Sequence, residues 1–412
     1  ATRVILLYLE SIGNPRRFLR IARHVTATKP VVILKAGRSS SGRRGAASHT
    51  ASLASDDDAV SALFEAAGVI RVDTLPELLG MAQLLDCQPP PTGRRVALIG
   101  NAGGPLILAA DSSEALGLAV PTLSEGLRQQ ILGIVPEAAA TTNPVDLLAT
   151  VSPDRLAAVV RLVGASGEVD SVLVASIGLR EDDETRVTVA LDAEPCAVPV
   201  AISITGSART ESRAFRYSQS AVAALARATA WGQRREEAKA EAQAHTTATG
   251  PTTDPDVDWV AVRRLVRAEA LDPAGVDGAG WLQPEAVARL LTSVSIPLAA
   301  SRVSTSAESA AALAEELAGP EGKVVLKAVA PGLLHKTEAG GVITGVVGPE
   351  AASAGYETLR LRFADLTGVM VQTQIPAGAE LLVGGRQDAV AGPLVVVAAG
   401  GIKAELLADR VL

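Results

Sequence analysis

Cysteine and aromatic residues are scarce in this sequence. Only two cysteines, Cys87 and Cys196, stand among its 412 residues, which excludes a disulfide framework and a four-thiolate zinc site. Both suit a reducing compartment, so we expect a cytoplasmic protein. Aromatic side chains make up 2% of the chain, so stacking platforms for single-stranded nucleic acid are not expected.

Excess positive charge and long apolar runs are also missing. The formal net charge is −7 at pH 7, which argues against a nucleic-acid phosphate backbone as the main partner. No apolar run is long enough to span a bilayer, so a membrane is not an expected partner either. Hydrophobic residues are abundant at 48%, with 20% charged residues, and this composition is typical of a globular protein with more than one core.

Strands alternate with helices through the first half of the chain. Apolar strands are predicted at Val4–Leu9, Val31–Leu34 and Val96–Ile99, each followed by a segment with helical spacing of its apolar residues. This alternation predicts parallel, doubly wound α/β sheets. We assign residues 1–87 to one such domain and residues 92–232 to a second, with a proline-rich hinge between them.

The composition changes after the second domain. Residues 233–258 are charged and then rich in Thr, Pro and Gly, which predicts an interdomain linker. In residues 259–412 helices and strands alternate less regularly, which indicates an α+β domain. The abrupt start and end of the sequence lead us to expect a segment of a longer protein.

One of the four histidines, His49, stands in a loop rich in glycine and arginine. Gly37, Arg38 and Gly45 precede it, and the loop leaves the carboxyl end of a predicted strand, where open α/β sheets place their sites. Backbone amides, arginines and a nearby helix start could hold a phosphate next to the imidazole. Glu10, at the end of the first strand, could reach the same edge and fix the tautomer of the imidazole. The alternative is a solvated surface loop.

A second histidine, His335, lies in the segment KVVLKAVAPGLLHKTEAGGV. Lys327 stands within a predicted strand there, Lys336 follows the histidine, and Gly340 and Gly341 close the loop. A lysine that leaves a strand beside a glycine loop suits nucleotide phosphates, which it binds as a point charge. The alternative is an edge strand with a solvated basic turn.

Three glycine turns give weaker signals. GNAGGP follows a strand, and the amides of Gly103 and Gly104 could meet an anion at a helix start. The full spacing of a dinucleotide fingerprint is absent there, as is a Walker lysine. Glu380 and the pair Gly400 and Gly401 stand in similar turns and are candidate nucleotide-lining residues.

Taken together, these motifs resemble the NDP-forming acyl-CoA synthetase family, which includes ADP-forming acetate–CoA ligases and is related to succinyl-CoA synthetases. The resemblance rests on YLESIGNPRRF, KPVVILKAGRSSSGRRGAASHTASLA, GNAGGPLILAAD, NPVDL, VVLKAVAPGLLHKTEAGGV and VQTQIPAGAELLVGGRQD, in the family's order. It implies flavodoxin-like, parallel-sheet domains of the succinyl-CoA-synthetase type followed by an ATP-grasp domain. We expect the CoA-binding domain, the first half of the phosphohistidine domain and the last ATP-grasp residues to lie outside this sequence.

The resemblance also implies roles for individual residues. His49 would be the phosphorylated histidine, Glu10 the carboxylate that stabilises it, and His335 a second histidine that relays phosphate. Phosphate would be bound by Gly37, Arg38, Gly45, Ser48, Gly103 and Gly104. The nucleotide would be bound by Lys327, Lys336, Gly340, Gly341, Glu380, Gly400 and Gly401. No metal ligand is assigned.

The implied reaction starts from an acyl-CoA and phosphate, which give an acyl phosphate and CoA. The phosphoryl group passes to His49, whose loop carries it to the ATP-grasp domain, where ADP with Mg²⁺ yields ATP. Expected partners are therefore small molecules, within a homo-oligomer or a chain of fused domains, and we expect these 412 residues alone not to complete the cycle. An alternative of another class is an acyl-CoA- or nucleotide-sensing module of a GNAT-type protein lysine acetyltransferase.

Overall fold

The computed structural model describes residues 2–39, 41, 57–178, 182–206, 213–247, 257–269, 284–318, 321–333, 336–388, 391–400 and 410–411. These residues form two compact units, of which the first comprises Ala1–Thr247 with Leu381–Leu412 and the second Ala248–Glu380. Several residues with predicted roles lie outside the described ranges, and those roles stay predictions: Gly45, Ser48, His49, His335 and Gly401.

The first unit begins with a three-stranded parallel sheet in the order β1-β2-β3. Its strands are β1 (Ile5–Leu9), β2 (Val31–Lys35) and β3 (Ile70–Val72), and its helices are α1 (Pro15–Thr26), α2 (Asp57–Ala66) and α3 (Leu75–Cys87). Every residue of β2 is buried, as expected for a central parallel strand covered on both faces. This arrangement explains why the first four residues of β2 form an unbroken apolar run.

A four-stranded parallel sheet follows, in the order β5-β4-β6-β7. Its strands are β4 (Val96–Gly100), β5 (Val145–Asp146), β6 (Ser171–Ile177) and β7 (Val200–Thr205). Its helices are α4 (Gly103–Ala115), α5 (Glu125–Leu132), α6 (Pro153–Ala165), α7 (Asp183–Asp192) and α8 (Ser218–Thr247). Helices α4 and α8 pack in one apolar cluster, and α5, α6 and α7 in another. This is the flavodoxin-like order, and it puts the topological switch point between β4 and β6.

Helix α8 extends to Thr247 and therefore includes the first part of the linker predicted at 233–258. That part is rich in Ala, Glu, Arg, Lys and Gln, which are strong helix formers. A linker assigned from the scarcity of apolar residues overlooks this propensity, because a helix that continues from a packed segment needs few new contacts.

The second unit is an antiparallel sheet covered on one face by helices. Strands β8 (Ser301–Ser304), β9 (Lys323–Val329), β10 (Val342–Val347) and β11 (Gly368–Thr373) lie in the order β10-β9-β11-β8. The helices are α9 (Trp259–Glu269), α10 (Pro284–Ser293), α11 (Ala307–Leu317) and α12 (Gly348–Arg362). Val324, Leu326 and Ala328 of β9 are buried in one cluster with apolar residues of α11 and α12. The other residues of β9 are half-buried and lie on the opposite face.

A last antiparallel sheet contains β12 (Leu381–Asp388), β13 (Gly392–Ala399) and β14 (Arg410–Val411), and it belongs to the first unit. Leu394 packs against the cluster that contains Ile33 and Phe64. None of the helices in the described ranges is long and apolar enough to cross a membrane. The predicted fold class, parallel α/β sheets followed by an α+β unit, is confirmed.

Candidate active site

The carboxyl edge of the first sheet gathers several of the residues singled out from the sequence. Glu10 directly follows β1, and Gly37 and Arg38 follow β2. Parallel pairing of Leu9 with Lys35 puts these ends side by side. Gly37 has a φ of +73°, a left-handed conformation that glycine adopts without strain. The predicted approach of Glu10 to the start of the glycine–arginine loop is therefore present in the fold.

Lys35 links the carboxyl ends of β1 and β2 through hydrogen bonds. Its side chain is buried, and Nζ donates a hydrogen bond to the carbonyl of Glu10 at 2.8 Å and another to the carbonyl of Ala36. Burial lowers the pKa of Lys35, because it disfavours the charged ammonium; Asp57 and Glu10 oppose this effect, and Arg71 adds to it. Sequence reasoning missed Lys35, although a lysine that closes an otherwise apolar central strand was a signal for it.

Arg38 and Asp57 flank the segment that contains His49, and they form an ion pair. Nε of Arg38 lies 3.1 Å from Oδ2 of Asp57, and another guanidinium nitrogen of Arg38 pairs with Asp73. Arg71 of β3 binds the other carboxylate oxygen of Asp57 at 2.6 Å. The Arg38 guanidinium, predicted to bind phosphate, is thus engaged by two carboxylates of its own domain.

Opposing influences act on the carboxyl group of Asp57. Burial, the largest of them, raises its pKa, but the hydrogen bonds and charges of Arg71 and Arg38 together outweigh burial. The pKa of Asp57 therefore lies below its ordinary value, and the group is ionised at neutral pH. Glu10 differs, since no residue of the described ranges donates a hydrogen bond to its carboxylate, which leaves both oxygens able to accept one.

At the switch point of the second sheet, the carboxyl ends of β4 and β6 lie very close together. A Cβ on Gly100 would stand 1.9 Å from the carbonyl oxygen of Ala175, so only glycine permits β4 and β6 to approach this closely there. The next residue, Asn101, joins the two strands, because its amide nitrogen donates to the Ile177 carbonyl at 3.0 Å and its amide oxygen accepts from the Ile177 N–H at 2.8 Å.

Gly103 and Gly104 begin α4, as the sequence predicts. The preceding residue, Ala102, provides no side-chain cap, so the first amides of the helix keep their capacity to bind an anion. On one side, Oδ2 of Asp146 would lie 3.3 Å from a Cβ placed on Gly103, whereas a Cβ on Gly104 would meet no atom within 4 Å. An anion would therefore approach from the Gly104 side, away from the Asp146 carboxylate.

Lys327 lies in an interior strand, since β9 is between β10 and β11. The alternative of a solvated edge strand is therefore wrong. Nζ of Lys327 donates a 2.6 Å hydrogen bond to Oε1 of Gln372, on the face of β9 opposite the helices. Burial lowers the pKa of Lys327, and the positive charge of Lys336 lowers it further.

The turn after β9 folds back on that strand. The Gly341 N–H donates to the Lys336 carbonyl at 2.6 Å, and the Gly341 carbonyl accepts from the Ala328 N–H at 2.8 Å. Gly340 has a φ of +70°, and its carbonyl accepts a hydrogen bond from Arg362 at 3.0 Å. The structure thus brings Lys327, Lys336, Gly340 and Gly341 together.

The roles predicted for Glu380 and Gly400 at the nucleotide stay predictions. Glu380 is exposed at the last position of the second unit, and Gly400 belongs to the first unit. Within the described ranges, no group of three or more His, Cys, Asp or Glu side chains could hold a metal ion.

Comparison with known proteins gives matches at both ends of the chain. Residues 1–85 match the succinyl-CoA ligase like flavodoxin domain, and residues 274–412 match an ATP-grasp domain. ADP-forming acetate–CoA ligase I of Archaeoglobus fulgidus is 29% identical over 99% of this chain and 58% of its own length. ADP-forming 4-hydroxybutyrate–CoA ligase of Nitrosopumilus maritimus is 25% identical over 99% of this chain and 59% of its own length.

A comparison with solved structures shows a shared fold. Dinucleotide forming acetyl-coenzyme A synthetase 1 of Ca. Korarchaeum cryptofilum, solved with phosphate and ADP, matches 58% of this chain and 55% of its own, with a TM-score of 0.53 and 24% identity. The chain spans about three-fifths of the length of the two curated relatives. The resemblance drawn from the motifs is confirmed: this chain is a relative of the NDP-forming acyl-CoA synthetases and carries a succinyl-CoA-ligase-like flavodoxin domain and an ATP-grasp domain.

Proposed function

We propose that this chain serves an NDP-forming acid–CoA ligase, which interconverts an acyl-CoA, ADP and phosphate with a carboxylic acid, CoA and ATP through a phosphohistidine at His49. One observation carries the proposal. The Glu10 carboxylate, which accepts no hydrogen bond from a described residue, stands at the sheet edge where the ion pair of Arg38 and Asp57 flanks the His49 segment. The two curated relatives, named for acetate and 4-hydroxybutyrate, support the reaction class.

The proposed chemistry has three displacements. A phosphate oxygen attacks the thioester carbonyl, the C–S bond breaks, and CoA leaves as a thiolate that takes a proton from solvent. An imidazole nitrogen of His49 then attacks phosphorus, and the carboxylate leaves as the P–O bond to the acyl group breaks. Finally a terminal oxygen of ADP attacks the phosphorus, the P–N bond breaks, and the imidazole is restored.

Glu10 has an electrostatic role in this scheme. When one imidazole nitrogen bonds to phosphorus, the ring gains positive charge, and its other N–H needs an acceptor. A carboxylate at that position fixes the tautomer beforehand and stabilises the charge afterwards. The amides of Gly103 and Gly104 would hold the phosphoryl oxygens at the uncapped start of α4.

Lys327 and Lys336 are proposed to hold the nucleotide. Their positive charges are close enough for Lys336 to lower the pKa of Lys327, and this mutual repulsion is relieved when a polyphosphate binds between them. The resemblance also implies Mg²⁺, but the described residues contain no group of His, Cys, Asp or Glu side chains that could hold a metal ion.

The remaining parts of the enzyme are proposed from the length of the relatives. The chain spans about three-fifths of them, so CoA binding is assigned to domains that are fused to these residues or carried by a separate subunit. Both cysteines are free, which suits a cytoplasmic location. No observation on the described residues or on the relatives reported above favours the alternative of an acetyltransferase-linked sensor.

The test is phosphorylation of the full-length protein by ATP labelled on its terminal phosphate. We expect an acid-labile, base-stable phosphoprotein, because a phosphoramidate hydrolyses in acid. His49→Ala should abolish the label, and Glu10→Gln should reduce the phosphorylation rate by about 10²-fold or more, since it removes the charge that stabilises the ring.

A matched control is His24→Ala, which removes an exposed histidine at the end of α1 and should label normally. His335→Ala should block labelling from ATP while permitting labelling from an acyl phosphate, if His335 is a relay. A wild-type protein that takes no label from either donor would contradict the proposed function.

A further inference from the structure

A cavity of about 410 Å³ lies at the carboxyl edge of the second sheet, between α6 and α7. We call it the switch-point cavity. Its polar lining comes from Asn101, Thr150, Ser152, Ser176, Asp183 and Arg186. Leu156, Val187 and Ile204 provide apolar walls. A space of this size and mixed character is typical of a site for a small organic molecule.

The position of the cavity connects it with the proposed reaction. It opens at the switch point between β4 and β6, where open α/β sheets bind ligands. Asn101 lines the cavity and also precedes Gly103 and Gly104, the uncapped helix start. A molecule whose reacting group lies at the start of α4 could therefore extend past Asn101 into the cavity.

An unsatisfied hydroxyl points to a ligand inside. Ser176 is 3% exposed, and its Oγ makes no hydrogen bond with any residue in the described ranges. Along β6 it shares a face with Val172 and Val174, which belong to the same apolar cluster as Leu156 of the cavity wall. Buried hydroxyl groups are normally hydrogen-bonded, so this one calls for a partner within the cavity.

The charges at the cavity balance each other. Arg186 and Asp183 form an ion pair with 3.8 Å between Nη1 and Oδ1. Among the described residues of the lining, the other polar side chains are hydroxyls and one amide. These described side chains suit an uncharged part of a ligand that carries a hydrogen-bonding group, and among them there is no excess positive charge to bind a further carboxylate or a phosphate.

We propose that the switch-point cavity holds the acyl group of the substrate acid and selects an acyl chain longer than acetyl that carries a hydroxyl group. The proposal rests on the proposed ligase function. Ser176 is the specificity residue, because its unsatisfied Oγ would hydrogen-bond the hydroxyl of the acyl chain. An acyl group without that hydroxyl leaves Ser176 unpaired, and a site built in this way discriminates strongly against such an analogue.

The test compares kcat/KM for acetate, butyrate and 4-hydroxybutyrate in the full-length protein, with ATP and CoA. We expect kcat/KM for 4-hydroxybutyrate to exceed kcat/KM for each of the other two acids by about tenfold or more. Ser176→Ala should lower kcat/KM for 4-hydroxybutyrate by about tenfold and should not lower kcat/KM for butyrate, because the variant no longer leaves a hydroxyl unpaired beside it. Thr150→Trp, at an exposed position of the lining, should lower kcat/KM for both longer acids by about tenfold and kcat/KM for acetate by less, because the shorter acyl chain fills less of the cavity.

The matched control is Ser171→Ala. Ser171 is also buried with an unpaired hydroxyl, but it stands at the other end of β6. Ser171→Ala should therefore leave kcat/KM for all three acids unchanged. A wild-type preference for acetate would overturn the proposal, and so would equal effects of Ser171→Ala and Ser176→Ala.

Direct binding separates this proposal from the function on which it rests. Saturation-transfer NMR should detect 4-hydroxybutyrate on the wild-type protein, and Thr150→Trp should weaken that binding by about tenfold. A protein that forms no acyl-CoA from any acid contradicts the ligase function. Binding that Thr150→Trp leaves unchanged contradicts the assignment of the cavity, whether or not the protein is active.

Discussion

At the scale of single residues, charged groups determine the character of the first sheet edge. Asp57 illustrates this, because it accepts from Arg71 and Arg38 at once. Its position in a run of three aspartates gives no indication of this role from sequence, since one pairing partner lies within β3 and the other in the loop after β2. The glycines and arginines of the loop were found from composition, whereas the ion pairs at its base required the fold.

The lowered pKa of Asp57 has a consequence for stability. A carboxyl group whose pKa is lower in the folded state stabilises that state at a pH above its unfolded value, about 3.9, and this contribution is lost as the pH falls through the folded pKa. We expect Asp57→Asn to weaken protection of the β2 and β3 amides against hydrogen exchange at pH 7 by about 1.5–3 kcal/mol. The difference between variant and wild type should shrink as the pH is lowered past 4.

An exposed ion pair provides the comparison for this experiment. Arg128 and Glu125 pair three positions apart on α5, where the Glu125 side chain is 65% exposed. Exposed pairs of this kind contribute at most about 1 kcal/mol, so Glu125→Gln should leave protection of the second sheet nearly unchanged. Equal losses in the two variants would contradict a special role for Asp57.

At the scale of elements, the close approach of β4 and β6 in the second sheet depends on one glycine. Gly100 brings β4 within reach of the Ala175 carbonyl, and Asn101 then completes the junction with two hydrogen bonds. Both residues precede the glycines that begin α4, with only Ala102 between Asn101 and Gly103. The geometry of this helix start therefore depends on the spacing of β4 and β6.

We expect Gly100→Ala to separate β4 from β6, because the new methyl group would overlap a backbone carbonyl that cannot rotate away. The destabilisation should be about 1–3 kcal/mol or more, measured as a lower thermal midpoint of the first unit. Gly126→Ala is the control, since Gly126 lies in α5 with nothing within 4 Å of an added Cβ. That variant should be neutral or slightly more stable.

At the scale of the whole molecule, the sequence predicts the order of architectures well. Apolar strands followed by capped helices identified both parallel sheets, and Asn14 does cap α1 through its side chain. The helix of residues 233–247 and the interior position of Lys327 were not foreseen, since the first depends on continuity with a packed helix and the second on strand order. Neither property is local, so a window of sequence does not contain it.

The same limit applies to the candidate sites. Glu10, Gly37 and Arg38 were recognised because parallel strands bring their ends to one edge. Lys35 and Ser176 were missed because each stands within an apolar strand and differs from its neighbours only in what its polar atom meets in three dimensions.

Asp57, which its ion pair with Arg38 holds at the edge of the first sheet, limits how far His49 can lie from that edge. His49 precedes Asp57 by eight positions in the sequence, and an extended chain covers at most about 3.3–3.6 Å per residue. While α2 keeps its first residue, the Cα of His49 therefore cannot travel more than about 26–29 Å from that of Asp57. Under the proposed function, any place where His49 gives up a phosphoryl group must therefore lie within a side chain's length of that sphere, unless α2 unwinds.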